Sequence, residues 1–186
     1  MRPERDAELE NEVFENESFR GLDLSGLRTT RCTFRECDFT LAQINASEHV
    51  ASDFANSTFE GANLFGASFS DCRLTGATFA GATLTGLTVE GGDWSYVLLR
   101  GQDLTGLDLH GVRLREADLV EADLTEADLR GADLTRALLH NTILANADLR
   151  EALVDGVDLS AARVARARFD LAGAVQLARA LGAVVE

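Results

Sequence analysis

Apolar residues fall on every fifth position of this chain. From Phe14 to Phe169 that series has 32 members, and each is Phe, Leu, Ile, Val or Trp except Thr29 and His49. Nine of the ten Phe residues lie on the beat, and only Phe65 lies off it. An α-helix repeats its apolar face about every 3.6 residues and a half-buried strand every second residue, so neither makes a five-residue period. A period this strict predicts a repeat architecture.

Two residues before each beat position, called here the centre, stands a second small or apolar residue. Examples are Cys32, Cys37, Ala42, Ser47, Ser52, Ser57, Ala62 and Cys72, then Ala117, Ala122, Ala127 and Ala132. Asp recurs just before the centre, at Asp118, Asp123, Asp128 and Asp133. Gly recurs two residues after it, at Gly61, Gly66, Gly76 and Gly81, as corners of a coil would require.

This pattern, plainest in the run Glu116-Ala117-Asp118-Leu119-Val120-Glu121-Ala122-Asp123-Leu124, resembles the pentapeptide repeat family over roughly residues 12–171. The resemblance implies an all-β solenoid: a right-handed quadrilateral β-helix with four pentapeptides to the coil. The centre and the small residue would point inward and the other three outward. The physics agrees, because one pentapeptide cannot bury its large side chain and a stack of coils can. Eight coils at about 4.8 Å give a rod of roughly 38 Å.

With twenty residues to the coil, positions twenty apart stack. The N-terminal half is then Phe-centred and the C-terminal half Leu-centred. Thr29 and His49 lie one above the other and are expected to hydrogen-bond across one step. Trp94, the largest centre, has the smallest inward partner, Gly92, which reads as volume compensation.

The two ends differ. Glu12 and Glu17 occupy inward positions, where a buried charge is costly, so residues 1–11 are expected to be a loosely ordered segment ahead of a solenoid at 12–170. Residues 171–186 read as a short α-helix and tail. Leu171, Ala174, Val175, Ala178 and Leu181 form its stripe over the open end, and Gly182 ends it. Leu177, Val184 and Val185 exceed what capping needs. The expectation is a homodimer through Leu171, Ala174, Val175, Leu177, Ala178, Leu181 and Val184.

Composition narrows the function. The formal charge is −14, and all seventeen basic residues are Arg. Such a chain lacks the basic footprint of a nucleic-acid binder or an anionic-membrane binder. The charge fits either a basic partner or plain solubility. No signal region and no membrane-spanning run is apparent, so a cytoplasmic location is expected. Cys32, Cys37 and Cys72 all sit at small inward positions and read as buried thiols.

No catalytic, metal-binding or cofactor motif is present, and a packed interior leaves no substrate cavity, so no enzyme, cofactor or small-molecule substrate is expected. The remaining signal is acidic. Asp103, Asp108, Glu116, Asp118, Glu121, Asp123, Glu126, Asp128 and Asp133 form a girdle near the sixth coil. Summed by side, the rod shows no single acidic stripe.

Within the family the chain resembles the quinolone-resistance proteins, most of all the mycobacterial type. It is nearly all repeat, it carries Thr29 and His49 as polar centres, it has Glu36-Cys37-Asp38-Phe39, and it ends in a short apolar helix. It has no insertion that could form the projecting loops of the plasmid-borne type. That resemblance implies a DNA mimic that dimerises, binds DNA gyrase, and inhibits it or protects it from quinolone-like drugs or a topoisomerase toxin. The alternative is a generic scaffold with a non-topoisomerase partner.

Overall fold

Four parallel ladders, each advancing twenty residues per step, build the molecule in the computed structural model, which describes residues 3–186. They begin as Val13↔Thr33, Ser18↔Asp38, Asp23↔Gln43 and Glu8↔Arg28, and they define the first to fourth sides of a square coil. The first ladder runs Val13, Thr33, Asp53, Arg73, Asp93, Arg113, Asp133, Leu153 without interruption. Most rungs are single bridges. Three-residue strands occur at β1 (Glu8–Glu10), β2 (Val13–Glu15), β3 (Arg28–Thr30), β4 (Thr33–Arg35), β5 (Glu48–Val50), β6 (Ser68–Ser70) and β7 (Thr88–Glu90). The fold is the β-solenoid expected from the five-residue beat.

Each pentapeptide makes its corner two residues after the centre, with φ near +60°. Gly61, Gly66 and Gly76 adopt this conformation, but so do Glu36, Leu41, Glu116, Glu121 and Glu126. Glycine is therefore favoured at the corner and not required. A left-handed L-residue costs about 1–2 kcal/mol. The ladder offsets that cost, since the corner amide donates to the next coil, as Glu121 N does to His140 O at 3.0 Å.

The Phe columns fit because ring stacking and coil stacking share one spacing. Phe19, Phe39, Phe59 and Phe79 stack at centroid separations of 4.9 Å. Neighbouring strands in a sheet lie at about 4.7–4.9 Å. The centres are buried from Leu24 to Leu149, and so are the small partners between them except the half-buried Ala82, Gly92 and Leu107.

Thr29 and His49 meet as expected. Thr29 Oγ1 lies 2.8 Å from His49 Nδ1, and His49 Nε2 lies 3.0 Å from Ser47 Oγ. The surrounding groups settle the direction of each bond. Ser52 Oγ donates to Val50 O, so its one proton is committed. Thr29 must then donate to Ser52 Oγ, at 3.1 Å, and accept from His49 Nδ1–H. The neutral ring is left to accept at Nε2 from Ser47. Every polar atom of the cluster is paired, as burial demands.

Gly92 proves to be more than a volume match for Trp94. Its φ is +89°, and a Cβ there would lie 2.2 Å from the backbone oxygen of Cys72. The chain backbone itself occupies the place of a side chain. Trp94 Nε1 is the one fully buried side-chain polar atom without a partner among the described residues.

The N-terminus departs from expectation. Leu9 and Ala7 already pack on the core, and β1 pairs with β3, so the ladder starts before residue 12. Residues 1 and 2 of that segment lie outside the described residues. Glu12 and Glu17, at the open end, stay in solvent. At the other end, α1 (Leu171–Ala180) is capped by Asp170, which accepts from Gly173 N at 2.8 Å and from Glu151 N at 2.9 Å, so the cap also ties the helix to the last coil. The helix face is not the expected one. Gly173 is buried and Leu177 packs on the core, whereas Ala174 is exposed and Leu171 and Leu181 are 83% and 68% exposed. Gly173 and Leu177, four residues apart, form the inner edge because Gly173 comes close to the Phe169 ring.

Candidate acidic docking surface

The mid-side aspartates have a structural task before any other. Oδ1 of Asp103, Asp108, Asp118, Asp123, Asp128 and Asp133 each accepts from the backbone amide two residues on, at 2.9 to 3.1 Å. This turn bond is why Asp recurs just before the centre. It also pins each carboxylate outward. The hydroxyl and then the amide of Thr105 hold the Asp103 carboxyl below its usual pKa, and the Arg130 guanidinium does the same for Asp128.

The girdle residues divide by side and by partner. Asp118 on the second side pairs with Arg100 at 2.9 Å, and Asp133 on the first with Arg115 at 3.3 Å. Asp128 on the fourth pairs with Arg130, and Glu116 at a corner meets Arg136 at 3.9 Å and Tyr96 Oη at 3.1 Å. Asp103, Asp108, Glu121, Asp123 and Glu126 make no ion pair among the described residues. Asp103 and Asp123 are rungs of one ladder on the third side. Glu121 and Glu126 are the corners bounding that side at the Asp123 level. Four bare carboxylates thus converge there, while Asp108 stands alone on the fourth side.

Side sums hide this contrast because they count charges without their neutralising partners. On the first side Asp53, Arg73, Asp93, Arg113 and Asp133 alternate in sign, and Arg73–Asp53 and Arg113–Asp93 close to 3.6 and 3.7 Å. A sequence signal for pairing exists and is easily missed. Arg20–Asp38, Arg35–Asp53, Arg100–Asp118 and Arg115–Asp133 are all eighteen residues apart, joining the residue just after a centre to the mid-side of the next coil. Eighteen residues before the bare Asp103, Asp108 and Asp123 stand Thr85, Glu90 and Thr105.

The crevices along the rod, such as the one lined by Ser95, Tyr96, Arg115 and Glu116, are open to solvent. Among the described residues no cluster of metal-ligating side chains occurs, and no helix is long and apolar enough to cross a membrane. The three thiols are buried and free, and burial pushes that of Cys72 up to about 12.

A search of the curated proteins returns no match. Among solved structures, full-length QnrB1, a plasmid-mediated fluoroquinolone resistance protein, superposes with a TM-score of 0.85 at 22% identity, covering 96% of this chain and 92% of QnrB1. Two trypsin-treated QnrB1 variants give TM-scores of 0.85 and 0.87 at 23% identity, covering 98% of this chain and 91% of theirs. At such identity the likeness shows the fold alone. The family profile described as pentapeptide repeats (8 copies) matches residues 52–87, 88–119 and 117–154. With the twenty-residue coil and the buried five-residue beat, these matches show that the chain belongs to the pentapeptide repeat family.

Proposed function

We propose that the protein is a DNA-mimicking ligand of DNA gyrase that acts by binding and not by catalysis, inhibiting the enzyme or protecting it from quinolone-like drugs or a topoisomerase toxin. The observation that carries this reading is the set of unneutralised carboxylates Asp103, Glu121, Asp123 and Glu126 on the third side of a straight-laddered rod. QnrB1, which shares the solenoid, is a fluoroquinolone resistance protein and supports it. A dimer would carry twice the charge of −14 on a rod of roughly 76 Å, or one net charge per about 2.7 Å. Duplex DNA carries one per about 1.7 Å. A basic DNA-binding groove would meet a field of the same order and a rod of similar reach.

The test is gyrase supercoiling and drug-induced cleavage with and without the protein, with duplex DNA as competitor. Neutralising the bare set, as Asp103→Asn, Glu121→Gln, Asp123→Asn and Glu126→Gln, keeps the turn acceptors. It should weaken gyrase binding by about tenfold or more and reduce its salt sensitivity. Neutralising the paired set, Glu116, Asp118, Asp128 and Asp133, removes equal formal charge and should cost less. Equal losses from both sets would refute the assignment to the third side. No effect of the wild type on either gyrase activity would favour a scaffold with another partner. Binding that DNA cannot displace would remove mimicry.

The dimer belongs to the same proposal. Leu171, Leu181 and Val184 leave apolar surface at the C-terminal end, with Val184 87% exposed. Leu177 is needed to cap the core, so Leu181→Asp with Val184→Asp is the cleaner probe. These changes should give a folded monomer by light scattering. A wild type that is monomeric at micromolar concentration would end the dimer proposal.

A further inference from the structure

The ladder is not continuous on all four sides. On the first side Arg73, Asp93 and Arg113 remain in register, and on the second Thr78, Leu98 and Asp118 do. On the third, Asn63 pairs with Thr83 and Asp103 with Asp123, but Thr83 and Asp103 do not pair. On the fourth, β7 pairs back to β6, and Asp108 pairs on to Asp128, with nothing between them. The amides of Gly81, Leu84, Gly86, Val89, Gly91, Asp103 and Asp108 would bridge these two coils in the regular pattern, and among the described residues none has a backbone acceptor. A crevice of about 190 Å³ lies in this seam, lined by Leu84, Thr85, Leu87, Asp103, Leu104 and Leu107 among others.

The cause lies in the small inward positions. Elsewhere in the C-terminal half these are mostly Ala. Around the seam Ala82 and Gly92 stay small, but the others are Leu87, Val97, Gln102, Leu107 and Val112. Leu87 and Leu107 face each other in one column whose next members on either side are Ala67 and Ala127. Both cannot fit at a spacing of about 4.8 Å without forcing the coils apart. The crevice volume decides what fills the gap. One strand residue needs roughly 160 Å³ at the rise, strand spacing and sheet thickness of a packed sheet, so a partner strand is excluded. The space suits about half a dozen waters at ~30 Å³ each, which can serve the free amides.

We propose that this seam is a hinge. The continuous ladders of the first and second sides are its axis, and the hydrated third and fourth sides open and close. The bare set Asp103, Glu121, Asp123 and Glu126 begins on its C-terminal lip. Bending therefore re-aims that acidic side relative to the Phe-centred half of the rod. This inference stands whether or not gyrase is the partner.

Hydrogen exchange and disulfide trapping test it on the full chain. The amides of Gly81, Leu84, Gly86, Val89, Gly91, Asp103 and Asp108 should exchange at least a hundredfold faster than their counterparts at Gly61, Leu64, Gly66, Phe69, Asp71, Asp123 and Asp128. The exposed pair Thr83→Cys with Asp103→Cys would stack at about 4.8 Å when the seam is shut, within disulfide reach. With oxidised glutathione it should crosslink slowly but fully, and the crosslink should restore protection across the seam. Thr78→Cys with Leu98→Cys, on the continuous second side, should crosslink promptly. Replacing Gln102 and Leu107 by the Ala of the repeat should speed the seam crosslink and raise protection there. Seam amides as protected as their neighbours would overturn the proposal. A seam pair that never crosslinks would mean a fixed gap and would overturn it too. If the Ala variant loses stability without gaining protection, oversized inward residues are not the cause.

Discussion

Leu124→Asp should leave no cooperatively folded protein. Leu124 is fully buried, and its amide donates to Ile143 O at 2.7 Å in the next coil. Truncation of such a Leu costs about 2–5 kcal/mol through lost burial and the cavity left behind. A carboxylate adds several kcal/mol, because among the described residues no Arg is buried in the coil to pair with it. The sum rivals the whole stability of a typical domain, about 5–15 kcal/mol. A solenoid offers one escape: coils contact only their neighbours, so the N-terminal Phe-stacked coils could stay folded while the rest opens. The measurements are the urea midpoint and hydrogen exchange, with Leu124→Ala as the milder control. Exchange should show protection lost outward from the sixth coil. A midpoint equal to that of the wild type would mean that position 124 does not point inward.

The second large effect is on pH. Burial holds the His49 imidazole neutral and pushes its pKa down to about 3, against about 6.5 in the unfolded chain. Below pH 6.5 the unfolded chain takes up a proton that the folded one refuses, so acid favours unfolding. The cost is about 1.4 kcal/mol per pH unit, beginning near pH 6.5 and continuing down towards pH 3. Between pH 6.5 and 5 the loss should approach 2 kcal/mol. Below that window the carboxylates join in with the same sign. Asp148, held by the Arg150 guanidinium at about 2, supports the fold at neutral pH and ceases to do so only in strong acid. The check is the urea midpoint from pH 7.5 to 5.0 in the wild type and in His49→Phe. The variant leaves the Ser47 hydroxyl without its acceptor and should start less stable, yet its midpoint should be nearly flat across this range. Equal slopes would show that His49 is not the group that titrates.

Much of the fold was legible because its rule is local and repeated. A five-residue beat with a small partner two residues earlier specifies which side chains go in, and a twenty-residue coil specifies what stacks on what. The contact of Thr29 with His49 follows from that arithmetic, as does the run of stacked Phe rings. The misreadings fell where the backbone had to be known. Gly92 looked like a volume match for Trp94, and its need is a close approach to Cys72 O. The helix stripe chosen from 3.6-residue periodicity put Leu171 and Leu181 inside. Asp170 and the Phe169 ring set the helix entry, and the buried edge became Gly173 and Leu177. Glu12 and Glu17 suggested that order begins after residue 11, but Leu9 packs without needing those positions filled.

The acidic girdle divides in the same way. Its nine residues are visible in the sequence, and so is the turn chemistry that favours Asp just before each centre. Whether a carboxylate is bare depends mostly on an Arg one coil away, eighteen or twenty residues distant, with Asp128 and Asp148 taking theirs from two residues on. By itself the sequence determined the coil, the inward register and the sign of the surface, because those depend on what each pentapeptide buries. Only the tertiary structure decided which acids remain unneutralised and where the ladder opens. Both depend on how successive coils fit on one another: most ion pairs form across the step between coils, and Leu87 and Leu107, stacked on successive coils, keep those coils from closing at the spacing the other sides hold.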